Sequence, residues 1–154
     1  MPTPIKRHTS LQPLSRDHHE GLLLSWKIRK GIAFGIELDR IQNYVDWFFV
    51  NHLLPHFSIE EEKLFPIVGS DNASVKQALV EHFQLVQLLK VEKKDKETLI
   101  KIADLLEAHI RFEERVLFNE VQAVATEDQL KEIESLHTSD RFCENKLDEF
   151  WVVS

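Results

Sequence analysis

Two stretches of the 154-residue chain repeat one another: HFSIEEEKLFPIV at 56–68 and HIRFEERVLFNEV at 109–121 agree at six of thirteen positions without a gap. Shared are the His, two Glu, a Leu-Phe pair and the closing Val. Each copy has a His followed four positions later by a Glu, His56 with Glu60 and His109 with Glu113. On a helix that spacing sets both side chains on one face. Imidazole and carboxylate together are ligands for a transition-metal ion.

Both faces are otherwise apolar. His109 shares its face with Ile102, Leu105, Leu106, Phe112 and Val116, and His56 with Phe48, Phe49, Leu53, Ile59 and Leu64. A carboxylate buried there is costly unless a cation or hydrogen-bond donors compensate it. No Lys or Arg stands on either face apart from Lys63 at the flank. Two other segments offer histidines instead. His82 in VEHFQLV shares a face with Val75, Ala78, Leu79, Leu85, Val86 and Leu89. In RDHHEGL, His18 shares a stripe with Leu11, Leu14 and Leu22, and His19 with Leu22, Leu23 and Trp26, so periodicity leaves both open. Gly21 favours His18, because it would leave room for an ion. Four histidines and two bridging glutamates suit a dinuclear site, and they leave positions open for a small molecule.

Other residues near the motif have two readings each. His52, one turn before His56, is an outer group or an alternative ligand. Glu61 and Glu114, which recur in both copies, face solvent or hydrogen-bond to the ligand imidazoles. His8 and His137 read as surface residues.

Helices must carry these positions. A first helix is expected from Ser15, a candidate cap, through DHHEGLLLSWKIRK to a break at Gly31–Gly35. A second runs from about Leu38 to Phe65, kinked or interrupted at Pro55 and ended by Pro66 and Gly69. Asp71 or Asn72 opens a third that ends near Lys90, and Asp95 opens a fourth that ends near Ala123. Thr126 and Gln129 form a capping box for a fifth, and Ser139 starts a sixth short segment that ends near Trp151. No segment alternates as a strand would. Short linkers pack consecutive helices antiparallel. The expected fold is therefore all-α: an irregular lead-in over 1–13, an up-down four-helix bundle over 14–122, and a C-terminal helical extension over 123–154 packed on the bundle. The apolar FWVV end is expected to pack across the bundle, with a homodimer contact as the alternative.

Composition agrees with a folded helical domain: 43% of residues are hydrophobic and 29% charged, with only four Gly and five Pro. Ten Phe and three Trp supply bulk, Trp26 and Trp47 among the expected core residues. A net charge of −7 argues against nucleic acid or an anionic membrane surface as a partner. The KVEKKDKE run at 90–97 reads as a solvated connection. Cys143 has no partner for an internal disulfide and reads as inert, and MPTPIKRHTS lacks an apolar leader, so a reducing cytoplasm is the expected compartment.

With His, H-x-x-x-E, His and H-x-x-x-E on successive helices, the chain resembles the hemerythrin-like, or HHE cation-binding, family over about residues 14–122; LFP at 64–66 matches a frequent family sequence. The resemblance implies His18, His56, Glu60, His82, His109 and Glu113 as ligands of two carboxylate-bridged iron ions. Mn or Zn would suit the same donors. It also implies a small diatomic ligand or peroxide as the partner. Oxygen carriers of the family have a second His on the third helix, where Ala78 stands here, and an Asp five residues after the fourth-helix His, where Glu114 stands. These departures point away from reversible oxygen carriage and toward sensing, protection or iron handling. An oxidase, a peroxidase or an iron-centre repair enzyme is the alternative, although the repair branch joins its bundle to a Cys-containing domain that residues 1–13 do not resemble. A metal-free helical interaction module is the third reading.

Overall fold

A computed structural model describes residues 6–136 and 142–152. Five helices follow in order: α1 (Gln12–Ala33), α2 (38–68), α3 (Ala73–Leu89), α4 (96–124) and α5 (Glu127–Ser135). The first four form an up-down bundle. Its direction can be read from two apolar clusters that lie at opposite ends. Along α1 the buried residues pass from one cluster (Leu11, Leu14) to the other (Leu24, Ile28), and along α2 they return from Ile41 and Phe48 to Leu64 and Phe65. Helices α3 and α4 repeat the passage, from Val75 and Ala78 to Leu85, then from Leu106 back to Leu117.

Local chemistry explains most boundaries. The Asn72 side chain accepts from Ser74 and Val75 N–H to start α3, and Asp95 accepts from Thr98 N–H to start α4. The capping box at Thr126 and Gln129 forms as expected. The first helix does not begin at Ser15. A 3₁₀ turn, Thr9–Leu11, capped by the His8 side chain, leads straight into α1 with Pro13 in its first turn. His8 is therefore half-buried and structural, and the Ser15 hydroxyl donates instead to the Glu114 carboxylate.

Helices α2 and α4 contain turns that side-chain periodicity does not reveal. In α2, residues Phe49–Leu53 and Glu60–Leu64 are π-helical, and in α4 Glu113–Leu117 are. Pro55 and Pro66 each sit just after a π turn, in the first turn of the α-helical stretch that resumes, so neither breaks the helix. The turns at Glu60 and Glu113 occupy equivalent places in the repeat, and the second has no proline beside it. A π turn inserts one residue and shifts every later side chain round the axis. Leu117 consequently faces the core at 0% exposure while Val116, placed on the inner face by its sequence spacing, is 40% exposed.

Three more expectations change. Trp26 lies at the surface under the Lys30 ammonium, and Leu79 is also exposed. Lys94, within the charged run, is buried, with its ammonium on Asp46 at 2.6 Å and its backbone N–H on the Gln42 side chain. The expected sixth segment starts at Ser139, outside the described residues, and 142–152 form no helix. That stretch is an irregular strap whose Phe150 and Trp151 join the core of the same chain. Gly31 makes room for it, since a Cβ there would come within 2.8 Å of the Phe150 ring. Buried Lys27 ties the strap down through Glu144 at 2.7 Å and the face of Trp151 at 4.0 Å. Among the described residues no helix is long and apolar enough to cross a membrane.

Truncating Phe150, 1% exposed, to Ala should cost roughly 3 to 5 kcal/mol. Leu147→Ala, at a position 94% exposed, should change stability by less than about 0.5 kcal/mol. Urea unfolding of both variants checks the docking of the strap; equal effects would contradict it.

Candidate metal centre

Between the two apolar clusters lies a polar layer one turn deep. His18 comes from α1, His56 and Glu60 from α2, His82 from α3, and His109 and Glu113 from α4; all six are at most 5% exposed, and both glutamates 0%. All six residues singled out in the sequence are thus brought together. His19, the alternative on α1, is exposed. Gly21 serves a different purpose from the one expected: a Cβ there would meet Ile110 Cδ1 at 2.6 Å, so it accommodates a side chain of α4.

The layer contains two overlapping groups of four, His18, His56, Glu60 and Glu113, and Glu60, His82, His109 and Glu113. In each group one donor atom per residue lies within 4.8 Å of the others. Glu60 reaches both sides: Oε2 is 3.2 Å from His56 Nε2 and Oε1 is 3.1 Å from His82 Nε2. Glu113 Oε1 is 3.0 Å from His18 Nε2 and 3.2 Å from His109 Nε2. Close as they are, His56 Nε2, His82 Nε2, His109 Nε2, both Glu60 oxygens and Glu113 Oε2 have no aligned hydrogen-bond partner. Buried donor and acceptor atoms converging without hydrogen bonds are what a cation would need, so the residues fit a metal.

Each imidazole is held from behind by a further carboxylate. His18 Nδ1 is 2.8 Å from Glu114, His56 Nδ1 3.0 Å from Asp17, His82 Nδ1 2.7 Å from Glu61 and His109 Nδ1 2.7 Å from Glu81. An Nδ1–H donated to carboxylate fixes the ring and turns the Nε2 lone pair toward the centre. Glu61 and Glu114 therefore orient imidazoles. The pairings also obey a pseudo-two-fold symmetry that exchanges α1 and α2 with α3 and α4. The acid just before His18 holds the His of α2, and the acid just before His82 holds the His of α4; the acid after each buried glutamate holds the histidine of the opposite pair's first helix. Asp17 and Glu81 escape a search for the H-x-x-x-E repeat. Their signal is the acid-His dipeptide at 17–18 and 81–82, which also distinguishes His18 from His19.

Burial pushes all four imidazoles down, but the carboxylates around them prevail. His56 is raised to about 9 and His109 to about 10, while His82 is raised and His18 lies well above its ordinary value. Burial likewise opposes ionisation of Glu60, but His56, His18 and His82 hold its carboxyl well below the usual range. Lys63 plays no part in neutralising the layer; it pairs with Glu132 of α5 at 3.0 Å. Without metal, protons on the imidazoles supply the positive charge that the buried carboxylates require.

The layer is not equally enclosed on both sides. Phe57 stacks on His82 at 3.9 Å between ring centroids. A cavity of about 370 Å³, including its open mouth, reaches His18, His56, His109 and Glu113, but not His82 or Glu60, and is walled by Phe48, Leu53, Phe57, Leu106 and Ile110. His52 lines that cavity and belongs to neither group of four. Cys143, in the strap beside it, is free and exposed. His137 lies outside the described residues.

Neither a curated protein nor a solved structure matches the chain. The family model of the hemerythrin HHE cation-binding domain matches residues 11–118, a span that holds all six buried residues and the carboxylates behind them. The chain belongs to the hemerythrin HHE cation-binding family.

Proposed function

We propose that the six buried residues hold two iron ions, and that the protein binds a small molecule (O2, NO or peroxide) beside them for sensing, protection or iron handling. The observation that carries this reading is the set of four imidazoles, each fixed at Nδ1 by its own carboxylate and aimed by Nε2 at two glutamates at 0% exposure. His18 and His56 would end-cap one ion, His82 and His109 the other, with Glu60 and Glu113 shared between them. Iron bound there supplies redox chemistry and a Lewis acid. The chain's own contribution is orientation, exclusion of bulk water and access. Four imidazole nitrogens and four carboxylate oxygens would be too few to saturate two octahedral ions, and a cavity reaches His18, His56, His109 and Glu113. The single free cysteine is compatible with a reducing cytoplasm as the compartment.

Charge explains how such a buried site can load. Protons on the raised imidazoles and divalent ions both supply positive charge to the buried carboxylates, so exchanging one for the other limits the change in charge of the layer. Loading at pH 7 should release at least the protons of His56 and His109, which are raised to about 9 and about 10, with His18, well above its ordinary value, and the more modestly raised His82 adding to the number. Titration of ferrous ion into weakly buffered protein under argon measures the number, and release of fewer than about one proton would contradict the exchange.

The pH dependence of stability follows from the same shifts. A histidine raised in the folded state stabilises fully below its unfolded value of about 6.5, and that contribution is lost as pH rises through the folded value. With His56 at about 9 and His109 at about 10, the metal-free protein should lose thermal stability between about pH 7 and 10. Bound metal replaces those protons, so the rise in Tm on adding metal should be larger at pH 9 than at pH 6. Calorimetry at the two pH values with and without chelator decides it; a metal-free Tm that rises over that range would count against the account.

Protein purified from iron-rich medium should contain two iron ions per chain, and Glu60→Ala and Glu113→Ala should each abolish at least one. A chain that takes up only zinc, or that binds no metal and is unaffected by chelator, would overturn the reading.

A further inference from the structure

The lead-in ahead of α1 is fastened to α4. The Gln122 side chain accepts from the His8 N–H and donates to the Lys6 carbonyl, each at 3.0 Å. Between those ties Arg7, whose side chain is 15% exposed, spreads its guanidinium over the same helix. Nη1 donates to Gln122 at 2.9 Å and to Asn119 at 3.3 Å, and Nη2 donates to the backbone carbonyl of Glu114 at 2.7 Å. The Glu114 carboxylate is 3.8 Å away, and the guanidinium lies 5.3 Å from the centre of the Phe118 ring.

The carbonyl that Arg7 reaches belongs to the π turn of α4. Within Glu113–Leu117 the hydrogen bonds span five residues, as from Phe118 N–H to Glu113 O, and the helix on either side spans four. A return from five to four passes over one carbonyl, which then needs another donor. In α2 the change is imposed covalently. After the matching bond, from Phe65 N–H to Glu60 O, stands Pro66, which has no N–H to give. In α4 the equivalent position is Asn119, which has one. Side chains do there what proline does in α2: Asn119 Nδ2 donates to the Arg115 carbonyl at 2.9 Å, and Arg7 donates to that of Glu114.

That turn aims His18. Its second residue, Glu114, holds His18 Nδ1 at 2.8 Å, with the Ser15 hydroxyl on the same carboxylate. Phe118, just after it, lies against the His18 ring at 4.9 Å between centroids. Arg7 therefore touches both groups that fix His18. It touches neither of those that fix His82, whose Nδ1 partner is Glu61 and whose stacking partner is Phe57.

We propose that Arg7 is a positioning residue for the metal centre: by holding the π turn of α4 it keeps the His18 imidazole aimed at the buried glutamates, so the ion beside His18 depends on Arg7 and the ion beside His82 does not. The proposal rests on the metal reading of the site and deepens it, because it makes the two ions unequal through a residue that precedes the bundle.

Three variants test it. Arg7→Met keeps the aliphatic stem and removes every donor, and Arg7→Lys keeps a charged donor. Ser10→Ala cuts a different tie of the lead-in, the hydroxyl bond to Glu134 at 3.0 Å, without touching the turn. In the metal-free protein, nitrogen-detected imidazole NMR should show the His18 resonances displaced in Arg7→Met and those of His82 unchanged; displacement of neither, or of both alike, would overturn the proposal. Titrated with ferrous ion under argon, wild type should take two ions. Arg7→Met should bind one of them roughly ten- to a hundredfold more weakly, the usual effect of losing support behind a ligand imidazole, and the other within about threefold of wild type. The weakened step should be the one that His18→Ala removes. Arg7→Lys should recover most of the lost affinity, and Ser10→Ala should leave both steps in place. Unchanged steps in Arg7→Met, equal weakening of both, or the same loss in Ser10→Ala would overturn the role of Arg7. Wild type that takes up no iron defeats the metal reading and the proposal with it, whereas a wild type loaded with two ions and indifferent to Arg7→Met defeats only the proposal.

Discussion

Two carboxylates with no exposed surface, at the centre of a small helical bundle and out of reach of any described Lys or Arg, are the constraint around which this chain is arranged. Glu60 and Glu113 sit where burial of a charge is most costly. Everything that faces them supplies compensation: four imidazoles inside, and behind each imidazole another carboxylate that keeps the ring turned inward. The two apolar clusters then flank the layer on either side along the bundle. The layer accepts either protons or cations, and it requires one or the other.

Pseudo-symmetry explains how so many charges are placed with so few motifs. The same backbone device, a π turn beginning at the buried glutamate, occurs in α2 and α4, and the same acid-His dipeptide occurs in α1 and α3. Departures from symmetry carry the functional information. Phe57 stacks on His82, whereas its repeat counterpart Ile110 packs against Gly21, and the cavity between them reaches His18, His56 and His109 but not His82. Arg7 donates to the Glu114 backbone carbonyl and lies 3.8 Å from its carboxylate. A strap with no repeat counterpart closes over the cavity with Phe142.

Much of this was legible in the sequence, for identifiable reasons. The buried His and Glu set could be read because a charged residue on an apolar helical face is an anomaly, and an anomaly that recurs at the same spacing needs one explanation. Helix starts at Asn72, Asp95 and Thr126 were legible because capping depends on residues within one turn. The π turns were hidden, since no residue type encodes them, and the hidden residue they add is why Val116 was assigned inward and Leu117 was not. Lys94 looked solvated because a charge run says nothing of an ion pair to Asp46 on another helix. The strap reads as a helix from sequence because its apolar residues, Phe150 and Trp151, mark burial and not conformation. Asp17 and Glu81 are not legible from the repeat because their partners lie 39 and 28 residues away in the chain.

Anomalous diffraction at the iron edge, from crystals of iron-loaded protein, is the most direct test of the central claim. The account requires two peaks within the bundle, one between His18 and His56 and one between His82 and His109, both beside Glu60 and Glu113. A single peak elsewhere, or none in crystals of a fully folded chain grown with iron, would contradict it.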